Sequence, residues 1–109
     1  MPNTFKRAQK RLTTALQTIY TCPAGKTALA FLGQAANDNT ADVDVTVQTT
    51  EAANGNAAAN LAFVMTVPVG AILPFIGKGA VPLAPGDTVQ AVASANNNAT
   101  VTLGIVELG

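Results

Sequence analysis

The stretch "DVDVTVQT", residues 42–49, decides the fold class. Val43, Val45 and Val47 alternate with Asp42, Asp44, Thr46 and Gln48. Side chains on a β-strand point to opposite faces in turn, so this pattern gives one apolar face and one wet face. The same period recurs downstream. "TVTLGIVEL" (100–108) puts Val101, Leu103 and Ile105 on one side, and "TVQAVASA" (88–95) does the same with Val89, Ala91 and Ala93. "KTALAFLGQA" (26–35) is apolar at both parities, as expected of a central sandwich strand. Further strands are expected near 13–21, 60–68, 71–76 and 80–83.

The joints carry turn chemistry. "CPAGK" (22–26) and "APGDT" (84–88) each fit a tight turn, with Pro85 and Gly86 placed as a type II turn prefers. "NDNT", "ANGN" and "NNN" read as Asn-rich loops. Seven or eight short strands at this spacing predict an all-β protein, a single antiparallel β-sandwich of jelly-roll or Ig-like type.

Composition points away from chemistry and toward assembly. Charged residues make up 11% of the 109-residue chain, against about 25% in ordinary domains. Such a surface is a poor guard against association. There is no His and no Trp, and Cys22 is the one cysteine. A Ser-His or Cys-His pair cannot form, and one Cys cannot build a zinc site. "AGKT" (24–27) resembles the end of a phosphate loop, but Tyr20 stands where that motif needs Gly. Asp42 and Asp44 alone fall short of the six to eight oxygens a hard cation takes. Asp87 reads as a turn-stabilising residue. No catalytic residue, cofactor or metal is expected, and the chain is read as not an enzyme. Cys22 reads as a small packed side chain, with an intermolecular disulfide between subunits as the alternative.

Charge is distributed unevenly. Lys6, Arg7, Lys10 and Arg11 give residues 1–11 a charge of +4, while the remainder carries −4. Lys6 with Lys10 and Arg7 with Arg11 would repel at helical spacing. The expectation is a basic docking arm over 1–11 and a sandwich over 12–109. The arm residues are Asn3, Phe5, Lys6, Arg7, Lys10 and Arg11, with Phe5 as apolar anchor. An acidic body and a basic arm can attract copies head to tail. Four cations can also contact nucleic acid, but no aromatic stacking platform is visible, so no direct nucleic-acid partner is expected. "LTTALQTIYT" is too polar for a signal core, and the apolar run 61–76 is short and broken by Pro68, Gly70 and Pro74. The protein is therefore read as soluble, made in the cytoplasm and without a membrane partner.

"NTFKR" (Asn3–Arg7), the step Tyr20–Ala24, the turn Pro85–Asp87 and the closing Glu107-Leu108 resemble a family of small tailed-bacteriophage virion structural proteins. That family more often carries Val where this chain has Cys22. The resemblance implies a structural subunit of a phage particle, localised to the virion. Its partners would be capsid, portal or tail subunits and further copies of itself. Head decoration or a head–tail neck or collar is the first expectation, and a tail or baseplate component the second. A carbohydrate- or receptor-binding sandwich is the rival. The absence of Trp speaks against it, because sugar sites usually stack an aromatic on the ring face.

Overall fold

A computed structural model describes residues 4–38, 40–76, 80–95 and 99–108. Within them the chain forms nine strands: β1 (Thr4–Arg11), β2 (Gln17–Thr21), β3 (Thr27–Ala36), β4 (Val43–Glu51), β5 (Ala57–Val67), β6 (Ile72–Pro74), β7 (Val81–Leu83), β8 (Thr88–Ala93) and β9 (Thr100–Leu108). A single 3-10 turn, Ala52–Asn54, joins β4 to β5. None of the described segments is a helix long and apolar enough to cross a membrane.

One sheet runs β1-β9-β3-β6, with β7 also on β3, and the other runs β2-β8-β4-β5. Every pairing is antiparallel. The partners nest: β1 with β9, β2 with β8, β3 with β6 and β7, β4 with β5. This is one long hairpin wrapped into two sheets, which makes the sandwich a jelly roll rather than an Ig-like fold.

The alternation read from the sequence sets the core. Val43, Val45 and Val47 from β4, Val89, Ala91 and Ala93 from β8, and Val101, Leu103 and Ile105 from β9 are all buried. Leu12 and Cys22 close the two ends of the early chain over them. Burying such side chains is the main favourable term for a chain with so few charges.

Bulges explain where the simple alternation breaks. In β3, Phe31 faces Gly104 and Gln34 faces Thr102, so the strand holds one extra residue. Leu32 takes a positive φ of 51° there and is exposed. The bulge swaps parity: Ala28 and Ala30 face inward before it, Ala35 after it. The two-sided apolar pattern of β3 thus comes largely from this swap. Gly104 is needed opposite Phe31, since a Cβ there would stand 2.6 Å from the ring. In β5, a second bulge inserts Phe63 and Val64 opposite Thr46, with Val64 at φ 47°. It turns Phe63, Val64 and Met65 out to solvent.

Two joints hold polar groups inside. Asn37, expected in an exposed loop, is 2% exposed. Its amide donates to the carbonyls of Ala41 and Val67, each at 2.8 Å, tying the end of β3 to β5. A buried amide is tolerated when it is hydrogen-bonded, as this one is to two carbonyls. The Ala84–Asp87 turn forms as read, with Gly86 at φ 89° and the Asp87 amide on the Ala84 carbonyl at 3.0 Å. The Asp87 carboxylate accepts from the amides of Ala84 and Ala52, so it clasps two loops at once. "NNN" (96–98) lies outside the described residues.

Thr4–Arg11, the stretch expected as a basic docking arm, forms the edge strand of the first sheet. Like charges at i,i+4 oppose a helix, yet on a strand those residues are spread along an open edge where water screens them. Asn3 lies outside the described residues.

The packing account predicts a cost for Leu103, which is fully buried. Leu103→Ala should destabilise the fold by about 2–5 kcal/mol in urea unfolding followed by circular dichroism.

Candidate assembly surfaces and the Glu107 cluster

Parity along β9 carries past Val101, Leu103 and Ile105 to Glu107, which is therefore aimed inward and is 2% exposed. A carboxylate so placed needs partners. Tyr20 is brought round by a bulge in β2: Thr18 pairs with Gln90 and Tyr20 with Val89, leaving Ile19 as the extra residue. Its hydroxyl donates to Glu107 Oε2 at 2.5 Å. Lys6 from β1 approaches Oε1 at 3.1 Å, and Lys26 from the 23–26 turn stands at 3.9 Å.

The Tyr20 hydrogen bond, then Lys6 and Lys26, hold the Glu107 carboxyl below its ordinary value of 4.5, against the opposing effect of burial. Tyr20 is pushed well above its ordinary 10.0 by burial first, then by the carboxylate that accepts its proton. The cluster joins β1, β2, β9 and a turn at one end of the sandwich. Its hydrogen bond and ion pairs clasp these elements together.

The basic residues of β1 divide into two kinds. Lys6 is committed to Glu107, and Arg11 forms a two-pronged pair with Asp38 at 3.1 and 3.0 Å. That guanidinium lowers the Asp38 carboxyl. These pairs pin β1 at both ends. Arg7 and Lys10, between them, make no ion pair among the described residues. Phe5, expected as an anchor, buries little within its own chain and is 76% exposed.

Cys22 is 1% exposed. Its thiol points at the carbonyl of Lys26, 3.4 Å away, with that of Leu83 at 3.8 Å. Burial, and then the charges of Glu107 and Asp87, push the thiol's pKa up. A buried, protonated thiol is a poor nucleophile, so the packed-side-chain reading fits this site and a bridge to a neighbour would require the 22–26 turn to open. "AGKT" belongs to this turn, with Gly25 at φ 77°.

Sequence reasoning missed Glu107 as a centre, although its inward parity was there to read. It also missed Asp38 and the exposed Phe63–Met65 bulge, because neither a long-range ion pair nor a bulge leaves a local mark.

Two outcomes test this site. Glu107 binds fewer protons folded than unfolded, so its contribution is present above its ordinary value and lost as pH falls. The melting temperature should drop as pH falls below the ordinary value of 4.5, and Glu107→Gln should lack that part of the drop. On the alkaline side, Tyr20 stabilises the fold up to its ordinary 10.0 and loses that contribution above it, a loss absent in Tyr20→Phe. Separately, Cys22 in the native protein should react with a thiol reagent far more slowly than after denaturation, and a non-reducing gel should show monomer.

No protein-family model and no curated protein sequence matches the chain. Solved structures do match in fold. One belongs to Bacillus endospore appendages, described as disulfide-linked pili: TM-score 0.57, 12% identity, covering 97% of this chain and 84% of that one. A second is the capsid of Helicobacter pylori bacteriophage KHP30: TM-score 0.56, 9% identity, covering 96% and 86%. A third is the infectious bursal disease virus particle: TM-score 0.60, 8% identity, covering 97% of this chain but 31% of that chain. The chain thus shares its β-sandwich fold with proteins that build capsids and pili.

Proposed function

We propose that this chain is a non-enzymatic structural subunit of a tailed-phage virion, present in multiple copies as a head decoration protein or in the head–tail neck or collar. The observation that carries the reading is a whole-chain jelly roll, alike in fold to a phage capsid protein over nearly all of both chains, that leaves large apolar side chains bare. Phe5 stands exposed on the β1 edge and Phe63, Val64 and Met65 on the β5 bulge. Monomers seldom leave such groups in clusters without a partner. The resemblance of Asn3–Arg7, Tyr20–Ala24 and Pro85–Asp87 to small virion proteins gives the phage assignment.

In this reading β1 is both a strand of the sandwich and a docking strip. Lys6 and Arg11 hold it in place, while Phe5 and Arg7 on its outer face meet a capsid, portal or neighbouring subunit, with Lys10 exposed on the other side of the strand. Many copies in a symmetric array gain avidity from small contacts. The test is electron cryo-microscopy of purified particles. The chain should occupy a symmetric set of positions on the head or at the head–tail joint. Its absence from washed particles would refute the proposal, and density confined to the tail tip would move it to the baseplate.

A further inference from the structure

We infer that two opposite edges of the sandwich bind each other between copies of this chain: Phe5 and Arg7 of one copy dock on Phe63–Met65 of the next, beside its Asp44. The inference rests on the repeated-subunit reading and names the surface that would do the repeating.

The topology separates the two edges. β1 ends the first sheet and lies against β2, which ends the second. β5 is at the far end of the second sheet. A contact between unlike edges is heterologous, so it propagates from copy to copy into a ring or a filament.

The chemistry is complementary. Phe5 pairs with Val106 and Arg7 with Gly104, so both side chains stand on the outer face of β1. Lys10 pairs with the buried Val101 and so belongs to the other face of β1, which leaves Arg7 as the cation beside Phe5, with no ion pair among the described residues. On the other edge, β5 has no charged residue in its eleven positions. Phe63, Val64 and Met65 are 66, 53 and 46% exposed. Asp44 flanks them, bonded to Thr66 at 2.7 Å, and Asp42 reaches the Val69 amide at 3.1 Å. Neither carboxylate has an ion pair among the described residues.

Charged residues on an edge strand can simply guard it against pairing. That account fits β1 alone. It leaves β5 unguarded, uncharged and apolar. One contact accounts for both edges: a strip that carries Arg7 and a single aromatic meets an apolar bulge with Asp44 beside it. The chain's zero net charge places no long-range repulsion between copies.

The test uses sedimentation velocity on the purified full chain, with circular dichroism to verify folding. Wild type should associate as concentration rises, and raising salt from about 0.05 M to about 0.5 M should require about tenfold more protein for the same association. The variant Arg7→Glu makes the β1 side of the contact acidic, and Asp44→Lys makes the β5 side basic. Each alone should stay monomeric, and mixing them should restore association. Phe63→Ser, at an exposed position that should leave the core intact, should weaken association by about tenfold or more. A wild-type chain that stays monomeric at every concentration overturns the inference. So do reversed variants that associate like wild type, a mixture that does not, or a monomer whose edges bind only a different protein. Association with absence from particles would sink the virion reading and spare this one; monomeric behaviour with presence in particles would do the reverse.

Discussion

The structure depends on β9 being paired along both sides. β1 lies on one flank and β3 on the other, and Thr4 meets Glu107 across nearly the whole length of the chain. The first sheet therefore has no continuous ladder until the last strand is in place. Pairing of such distant segments must overcome loop-closure entropy before any contact is gained. The nesting of β2 with β8 and β4 with β5 shortens that search, because each inner pair brings the next outer pair closer.

Glu107 is the polar counterpart of that ladder. It sits at the inward parity of β9, where an apolar residue would simply extend the core. Replacing a carboxylate there by a hydrophobe is often neutral or favourable, so its presence is better explained by what it organises than by net stability. It gathers a tyrosine, the edge strand and a turn at one point. That specifies the register of β1, an edge strand that buries little apolar surface of its own. The edge can then carry exposed groups for a partner without sliding.

Much of this was legible. Eight of the nine strands lie in segments whose alternation or apolar runs mark them, and the turn at 84–87 forms as its Pro-Gly-Asp order requires. Residues 4–11 have no apolar period, so their strand form is not legible in the sequence. Their strand form comes from backbone partners on β9, which no local pattern reveals. The basic cluster was visible as a puzzle, but its division into two paired cations and two without an ion pair among the described residues needed the positions of Glu107 and Asp38. Cys22 stood out as a lone thiol, and only its burial distinguishes a packed side chain from a linker.

The sequence by itself determined the fold class, the core faces and the tight turns, because period, side-chain volume and local backbone preference act over a few residues. Tertiary structure decided the jelly-roll order, the parity swaps at the bulges, the place of β1 and the identity of the exposed edges. Those depend on which strands meet across the chain, and the physical terms that choose among pairings are summed over both sheets at once. The opening alternation of Asp42–Thr49 specified a strand; only its neighbours β5 and β8 determined that Asp44 would lie beside an open apolar edge.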